Sequence, residues 1–263
     1  MKSKIKKEKI GKFIMSHPKN LTKNDIEFSE GMQEYFKNSL GTVMDKLRNF
    51  PKYVPRQSLA LFLAKHEIFK KILNVHGHII EAGVFLGGGL MTWAQLSAIY
   101  EPYNHTRRII GFDTFSGFPD ISEKDIGSAD YPQRKKGGLS VKGIEEDLKE
   151  CIRLYDLNRP LGHIPRIEII KGDACKTIPE YVDKNKHLVI ALLYLDFDLY
   201  EPTKVALEHF LPRMPKGSVI GFDELNQPYW PGETLAVLEE IGIRNLKIQR
   251  FEFCPQISFA VLE

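Results

Sequence analysis

The sequence predicts an α/β fold with a mostly parallel sheet of seven strands, and three observations lead to that prediction. First, short apolar runs that end in glycine or an acidic residue alternate with helical patterns from residue 77 onward. Second, the run His187–Asp196 is apolar almost throughout, as expected for a strand that is buried on both faces. Third, Leu246–Phe253 and Ile257–Leu262 follow each other without a helix between them, which favours an antiparallel pair at the end of the chain.

The remaining elements follow from the same patterns. Strands are predicted at Ile79–Val84, Arg108–Asp113, Arg166–Lys171 and Ser218–Asp223, and helices at Asn24–Asn49, Arg56–Leu73, Gly87–Tyr100, Ile144–Tyr155, Lys176–Lys184, Glu201–Phe210 and Glu233–Ile241. Pro55 directly precedes the second helix, whose apolar residues recur at helical spacing. Residues 114–143 hold several glycines and prolines, so we expect an irregular loop there that is able to close over a substrate.

Charge divides the chain into a basic arm and a slightly acidic body. Residues 1–23 hold eight Lys and one acidic residue, whereas the other 240 residues carry a net charge of −4. We therefore expect a solvated tail rather than a nucleic-acid-binding face. The predicted organisation is a basic arm over 1–23, a helical extension or lid over 24–76, and an α/β domain over 77–263.

Composition narrows the setting in which the protein works. No apolar run approaches the roughly 20 residues that a membrane span needs, so no membrane partner is expected. The three cysteines, Cys151, Cys175 and Cys254, lack CxxC spacing, which excludes a zinc ribbon or a disulfide framework. These features favour the reducing cytoplasm.

Glycine and acidic residues stand where the predicted strands end. The first strand runs into the segment from Glu81 to Gly89, the second ends at Asp113, and the third is followed by Asp173. The last two parallel strands end at Asp196 and at Asp223. Ligands of open α/β sheets bind outside the carboxyl ends of the strands. Several carboxylates at one edge also raise the free energy of the folded protein unless they have a binding partner. The sequence therefore predicts a ligand site at this edge.

The glycine segment indicates which ligand binds there. Its pattern, E-x-G-x-x-x-G-G-G, does not match the dinucleotide fingerprint G-x-G-x-x-G, and Asp113 lies 30 residues past Gly83 rather than the usual ~20. Glu81 and Asp113 instead suit a ligand with a cation near the first strand and a ribose near the second. S-adenosylmethionine has that shape, although a tight strand–helix turn without a ligand is the alternative.

Two further positions fit the same cofactor. Asp173 could accept from the exocyclic amine of adenine with Ala174 facing the ring, and the alternative is that Asp173 caps the helix that follows. Arg56 could reach the carboxylate of the cofactor or a sugar phosphate, and the alternative is that it is a surface or capping residue.

Three acidic residues at neighbouring strand ends suggest a metal ion. Asp196, Asp223 and Glu224 would supply hard oxygen ligands without His or Cys, which favours Mg²⁺ or Ca²⁺ over zinc. Without a cation these carboxylates would repel one another and raise one another's pKa. Asp198 is expected instead to point away from the neighbours of Asp196 or to cap the next helix.

Five ordered segments together resemble the macrocin O-methyltransferase family of class I methyltransferases, whose fold is Rossmann-like. They are Glu81–Gly89, Gly111–Pro119, Gly172–Ala174, Leu195–Thr203 and Gly221–Glu224, within a resemblance that extends over about residues 55–260. The resemblance implies S-adenosylmethionine, a divalent metal that is usually Mg²⁺ (with Ca²⁺ or Mn²⁺ as alternatives), and a homo-oligomer. It also implies methylation of a sugar hydroxyl.

The resemblance assigns roles to residues by position. It makes Asp196, Asp223 and Glu224 the metal ligands and Asp196 also the catalytic base; the family usually has Asp where this chain has Glu224. The residues expected to bind the cofactor are Arg56, Glu81, Gly83, Phe85, Gly87, Gly88, Asp113, Thr114, Phe115, Ser116, Asp173, Ala174 and Asp196.

The function expected from all of this is S-adenosylmethionine-dependent, metal-dependent O-methylation of a sugar, carried by a nucleotide-activated deoxysugar or a glycosylated natural product. Catechol-type methylation and an NAD-dependent nucleotide-sugar oxidoreductase are the alternatives, and a nucleic-acid scaffold that uses the arm is disfavoured by the charge of the body. His105 and His163 are weaker candidates for a base. Tyr229, Trp230 and Pro231 could form an aromatic wall for a sugar or pack in the core.

Overall fold

A computed structural model describes residues 22–128 and 130–263, and its centre is a seven-stranded sheet. The strand order is β3-β2-β1-β4-β5-β7-β6. The strands are β1 His78–Ala82, β2 Ile109–Asp113, β3 Ile167–Lys171, β4 Ile190–Leu195, β5 Val219–Phe222, β6 Gln249–Phe251 and β7 Cys254–Val261. The first five run parallel, and β7 pairs antiparallel with both β5 and β6. The predicted fold class is confirmed.

The parallel strands in the middle of the sheet are fully buried. Every residue of β4 is buried, as is every residue of β5, because helices cover both faces of the sheet. One cluster of buried residues is built on these strands and includes Phe112 of β2 together with Phe210 and Tyr181 from the covering helices. The sheet therefore holds its loops on a rigid base, with the carboxyl ends of five parallel strands along one edge.

Helices alternate with the parallel strands as the sequence predicts. Their bounds are α1 Lys23–Asn38, α2 Val43–Arg48, α3 Arg56–Lys71, α4 Gly88–Tyr100, α5 Ile144–Leu157, α6 Ala174–Lys184, α7 Tyr200–Phe210 and α8 Gly232–Glu240. The single helix predicted over Asn24–Asn49 is wrong. The chain turns at Gly41, whose φ is +100°, and Thr42 starts a new helix with a capping box to Asp45.

The described chain divides into two compact units, residues up to Leu61 and residues from Phe62 onward. The first unit holds α1 and α2, each opened by a threonine whose side chain accepts from a backbone amide three residues later. The second unit holds the sheet and its covering helices. Residues 1–21 of the predicted basic arm lie outside the described residues.

Two other features bear on the expectations from composition. All three cysteines are free thiols, in agreement with their spacing. Among the helices of the described residues, none is both long and apolar enough to cross a membrane.

Candidate active site

Four residues line the carboxyl edge of the sheet in the order of the strands that carry them. Asp113 ends β2, Gly83 follows β1, Asp196 follows β4 and Asp223 follows β5. The backbone nitrogens of the last three donate hydrogen bonds of 3.0, 2.8 and 3.1 Å to the adjacent strand, so the ladder continues past the strand ends. The sheet thus fixes the backbone positions of these four residues.

Gly83 lets the first loop pass close to the end of β4. Its φ is +106°, and a Cβ added there would lie 2.6 Å from the carbonyl carbon of Asp196. A side chain at this position would therefore collide with backbone that cannot move away easily. The close approach brings the start of the glycine loop next to Asp196.

Asp113 holds the two loops that the sequence assigns to the cofactor. Its Oδ2 accepts hydrogen bonds of 2.9 Å from the backbone nitrogens of both Val84 and Phe85, and its Oδ1 accepts one of 2.7 Å from Phe115. Phe85 and Phe115 both have positive φ, an uncommon conformation for aromatic residues, and the carboxylate bonds each of them. The carboxylate therefore orders the loops, and a contact between Asp113 and ribose stays a prediction.

The other predicted cofactor residues of these loops lie at turns. The hydroxyl of Thr114 donates a hydrogen bond of 2.6 Å to the carbonyl of Gly117 and accepts one from the nitrogen of Ser116. Gly87 has a φ of +85° and immediately precedes α4, whose first residue is Gly88. The free amides of a helix N-terminus can bind an anionic group of a ligand.

Asp173 and Ala174 lie at the beginning of α6. Oδ1 of Asp173 accepts a hydrogen bond of 3.0 Å from the nitrogen of Cys175, so the carboxylate caps the helix as the alternative interpretation expected. Ala174 is buried. Because one oxygen of Asp173 takes no part in that capping bond, a contact with adenine remains compatible with it.

Glu81 is buried within the protein, at 1% exposure. One of its oxygens accepts from the indole nitrogen of Trp93, and the other lies 3.8 Å from Nζ of Lys65. Burial raises the pKa of Glu81, and the charge of Lys65 acts in the opposite direction. Its predicted contact with the cation of the cofactor stays untested, whereas its contact with Lys65 was not anticipated from the sequence.

Five acidic residues follow β4 and β5 and act on one another through their charges, and we term them the carboxylate cluster: Asp196, Asp198, Asp223, Glu224 and Glu233. Burial raises the pKa of Asp196 well above its usual range, and the charge of Asp223 raises it further. Burial also raises the pKa of Glu224 well above its usual range, and the charges of Asp198 and Asp223 raise it further. Like charges that share a site and little water favour binding of a proton or a cation.

Asp223 is the best-anchored member of the carboxylate cluster. Its Oδ1 accepts a hydrogen bond of 2.6 Å from the hydroxyl of Tyr194, and its Oδ2 accepts one of 2.8 Å from Nε2 of Gln256. Tyr194 lies in β4 and Gln256 in β7, the two strands on either side of β5. The sequence did not single out these two positioning residues, because their pairing depends on the strand order.

Glu233 was also missed from the sequence, where it looks like an ordinary acidic residue in the first turn of a helix. It is fully buried, and its Oε1 accepts a hydrogen bond of 3.1 Å from the nitrogen of Glu224. Its Oε2 is buried without a hydrogen-bond partner among the described residues. Burial and the charge of Asp223 raise its pKa well above the ordinary value.

The expectation that Asp198 caps α7 is wrong. The N-cap residue of α7 is Leu199, whose side chain cannot accept a hydrogen bond, and the capping bond comes from Asp125 in the loop after β2. Asp198 has a φ of +62°, and burial followed by the charge of Asp223 raises its pKa to about 7. Asp198 therefore belongs to the carboxylate cluster.

Trp230 connects the long loop after β2 with the segment after β5. Its ring packs at centroid distances of 5.5 Å from Phe118 and 5.3 Å from Tyr131, and Leu199 completes the cluster. Trp230 therefore packs against other buried residues, which was the alternative to its forming an aromatic wall for a sugar. Burial raises the pKa of Tyr131, and the charges of Asp198 and Glu224 in the carboxylate cluster raise it further.

The donor set can be tested for its fit to a metal ion. Within residues 22–128 and 130–263, no three His, Cys, Asp or Glu side chains are grouped closely enough to hold a metal ion as they stand. The chemistry nevertheless fits a hard divalent cation, because the donors are all carboxylate oxygens and Oε2 of Glu233 is buried without a partner among the described residues. Metal ligation by Asp196, Asp223 and Glu224 therefore stays a prediction.

The two histidines named as weaker candidates for a base lie away from this edge. His105 and His163 are exposed, in loops that lead into the amino ends of β2 and β3. Arg56 is exposed at the beginning of α3 and belongs to the first compact unit, so its contact with a cofactor stays a prediction.

Comparison with known proteins identifies relatives of the chain. The family model "Macrocin-O-methyltransferase (TylF)" matches residues 63–232. Demethyldecarbamoylnovobiocin O-methyltransferase of Streptomyces niveus is 27% identical over 153 residues, which are 57% of this chain and 53% of that protein. A tetracenomycin-C 4′-O-methyltransferase of Streptomyces olivaceus, which acts on a dimethoxyrhamnosyl derivative according to its name, is 26% identical over the same share of this chain. The match therefore spans about half the length of these curated relatives.

Solved structures extend the likeness to nearly the whole chain. The crystal structure of CalS11, a calicheamicin methyltransferase, is 34% identical with a TM-score of 0.87 and covers 96% of both chains. The apo structure of CalS11, described as a TDP-rhamnose 3′-O-methyltransferase, has a TM-score of 0.79 at 31% identity and covers 95% of this chain and 97% of that one. The O-methyltransferase NovP, at 20% identity and a TM-score of 0.58, shares the fold. This chain belongs to the macrocin O-methyltransferase family of class I methyltransferases.

Proposed function

We propose that this protein is an S-adenosylmethionine-dependent O-methyltransferase that acts on a sugar hydroxyl, carried by a nucleotide-activated deoxysugar or a glycosylated natural product. The observation that carries the proposal is the position of Asp196. Its backbone follows β4 directly and lies against Gly83, at the start of the glycine loop. A proton acceptor beside the predicted cofactor loop is the arrangement that methyl transfer to oxygen requires.

The sugar class is supported by the proteins that this chain resembles. CalS11 is described as a TDP-rhamnose 3′-O-methyltransferase, and the relative from Streptomyces olivaceus is named for methylation of a rhamnosyl derivative. CalS11 is also matched over nearly its full length at more than 30% identity. A sugar hydroxyl on a small molecule therefore fits the relatives better than a catechol.

In the proposed mechanism, S-adenosylmethionine supplies an electrophilic methyl group, and a divalent cation, when bound, makes the acceptor hydroxyl more acidic. Asp196 accepts the proton of that hydroxyl on a carboxylate oxygen. Tyr194 and Gln256 each donate one hydrogen bond to Asp223, which keeps its carboxylate in a fixed orientation next to Asp196. Asp196, Asp223 and Glu224 are the residues proposed to hold the cation.

The protein also prepares the site for the cofactor. Asp113 fixes the amides of Val84, Phe85 and Phe115, so both loops are held by hydrogen bonds within the protein. Preordered loops reduce the entropy lost on binding and on orienting the methyl group. We propose that the adenosyl group lies along these loops, with Asp173 at its adenine end.

The test is transfer of a labelled methyl group from S-adenosylmethionine by the full chain. The acceptors are a panel of TDP-activated deoxysugars, a panel of deoxysugar-bearing natural products, and a simple catechol, each assayed with Mg²⁺ and after exhaustive chelation. We expect label on a sugar hydroxyl, loss of transfer on chelation, and recovery when Mg²⁺ is returned.

Each contrary result removes a defined part of the proposal. Transfer to the catechol alone would replace the sugar by a phenolic acceptor. Transfer that survives chelation at an unchanged rate would remove the metal. Lack of S-adenosylhomocysteine binding by calorimetry would contradict the methyltransferase activity itself.

A further inference from the structure

A buried lysine lies behind the proposed site, in a position that the mechanism so far has not used. Lys65 belongs to α3, and its side chain is only 9% exposed. Its Nζ lies 3.6 Å from the centroid of the Tyr194 ring, 5.4 Å from that of Trp93, and 3.8 Å from Oε1 of Glu81. A buried ammonium is stable only where carboxylates and aromatic faces compensate its charge, and Lys65 has both.

The contacts of Lys65 continue towards the carboxylate cluster. The ring that lies beneath its ammonium belongs to Tyr194, whose hydroxyl donates the 2.6 Å hydrogen bond to Asp223. The Trp93 indole binds the carboxylate of Glu81, which pairs with Lys65. Two aromatic rings and one carboxylate thus surround the ammonium, and one of these rings also holds Asp223.

Two glycines leave the space that this arrangement needs. A Cβ on Gly89 would overlap the carboxylate of Glu81 and lie 3.0 Å from Nζ of Lys65. A Cβ on Gly221 would lie 2.6 Å from Cδ2 of Tyr194. Neither glycine has a positive φ, so the absence of a side chain here serves packing rather than backbone conformation.

Charge gives Lys65 a second link to the site. Nζ of Lys65 lies 3.8 Å from Oε1 of Glu81 and over the ring of Tyr194, whose hydroxyl bonds Asp223. A fixed cation at this position lowers the electrostatic cost of placing several carboxylates together.

We propose that Lys65 is a positioning residue of the methyl-transfer site: its ammonium fixes the Tyr194 ring and the Glu81 carboxylate, and through the Tyr194 hydroxyl it fixes the orientation of Asp223. This inference rests on the proposed function for its effect on turnover, but its structural part does not. Lys65 touches neither cofactor nor acceptor in this scheme and acts through Tyr194 and Glu81.

The experiment compares Lys65→Met and Lys65→Gln with Lys70→Met. Lys70 is on the same helix and pairs with Glu67 at the surface, so its substitution controls for loss of one charge from α3. Lys65→Gln keeps a polar end group without the charge and provides a second variant if Lys65→Met fails to fold. Lys65→Arg tests whether the charge alone restores the wild-type behaviour, since Arg keeps the charge but not the shape of Lys.

The first readout does not depend on activity. In a Trp230→Phe background Trp93 is the one remaining tryptophan, so its fluorescence reports on the contacts of Glu81 and Lys65. Loss of the ammonium should change the emission maximum and the acrylamide quenching of Trp93, whereas Lys70→Met should change neither. Unchanged Trp93 emission in folded Lys65→Met and Lys65→Gln would overturn the proposal, whether or not the protein transfers methyl groups.

The second readout is turnover with the acceptor identified by the labelled-methyl panel. A displaced Asp223 should lower kcat by roughly tenfold to a hundredfold in Lys65→Met and Lys65→Gln, since misplacement by about 1 Å can cost that much. The KM for S-adenosylmethionine should stay within about threefold, because the lost interaction affects the reacting geometry rather than cofactor binding. Lys65→Arg should recover part of kcat.

Failure of this inference can be told apart from failure of the proposed function. Wild-type kcat in folded Lys65→Gln would overturn the positioning role while leaving the methyltransferase proposal intact. If the wild-type protein binds no S-adenosylhomocysteine and methylates no acceptor, the proposed function fails, and the Trp93 fluorescence still decides whether Lys65 fixes its neighbours.

Discussion

Oδ1 of Asp125 accepts a hydrogen bond of 2.6 Å from the backbone nitrogen of Tyr200, so a loop residue caps a helix that begins 75 positions later in the chain. Oδ2 of the same carboxylate accepts from both the nitrogen and the hydroxyl of Ser122. Asp125 is buried at 1% exposure. The loop after β2 is therefore fastened at this point to the segment that carries Asp196 and Asp198.

Asp125→Ala should destabilise the protein by about 1–3 kcal/mol, because it leaves a buried backbone amide of α7 without its partner. Chemical denaturation measures this as a lower free energy of unfolding. Asp120→Ala is the matched control, since Asp120 is exposed in the same loop and its carboxylate accepts from the nitrogen of the next residue, Ile121. Equal stability of the two variants would show that the capping bond contributes nothing.

This bond also shows where prediction from the sequence stops. The strand ends at Asp113, Asp196 and Asp223 could be found because apolar runs followed by acidic residues are local patterns. Asp198 seemed to cap α7 for the same local reason, but the cap comes from Asp125. No local pattern predicts a bond between residues that the fold alone brings together.

Glu81 gives a second example of the same limit. Its place at the end of an apolar run suggested a ligand contact, yet α3 packs Lys65 against it and α4 supplies Trp93. Gln256 reaches Asp223 from β7, because the strand order places β7 beside β5. The sequence therefore predicted which strand ends matter, whereas the partners that orient them required the packed structure.

Gly89→Ala should lower the free energy of unfolding by roughly 1–3 kcal/mol, because the new Cβ overlaps the buried carboxylate of Glu81. Gly88→Ala is its neighbour and control. A Cβ on Gly88 meets nothing within 4 Å and the residue lies in the first turn of α4, so this change should be neutral or stabilise by about 0.4–1 kcal/mol. Thermal and denaturant unfolding measure the stability of both variants. An equal loss of stability in the two would contradict the packing argument.

His78 should make stability depend on pH. Its Nδ1 accepts a hydrogen bond of 3.1 Å from the nitrogen of Arg108, which requires a neutral ring. Burial, followed by the charge of Arg108, lowers the pKa of His78 to about 4 from an ordinary value of 6.5. As the pH falls, the unfolded chain binds a proton at this histidine before the folded chain does. The stability that neutral His78 contributes is therefore present above about pH 6.5 and is lost as the pH falls towards 4, at up to about 1.4 kcal/mol per pH unit.

The substitution His78→Asn tests this pH dependence, because an amide oxygen can accept the same bond without titrating. The free energy of unfolding should then change less between pH 7 and pH 5 than it does in the wild-type protein. His105→Asn, at an exposed position, should leave the wild-type slope in place. A slope that is identical in all three proteins would show that His78 does not titrate between the folded and unfolded states as described.

Asp196→Asn should separate catalysis from cofactor binding. The amide keeps the shape of the side chain but cannot take the proton of the acceptor hydroxyl, so kcat should fall by roughly 10²–10⁴-fold. S-adenosylhomocysteine should still bind within a few-fold of the wild-type affinity, measured by calorimetry, because Asp113 and not Asp196 fixes the amides of the cofactor loops. Asp183→Asn, on the surface of α6, is the control and should retain wild-type turnover. Full turnover by Asp196→Asn would assign the proton to another acceptor, and Glu224 would be the next residue to substitute because its carboxylate lies in the same cluster.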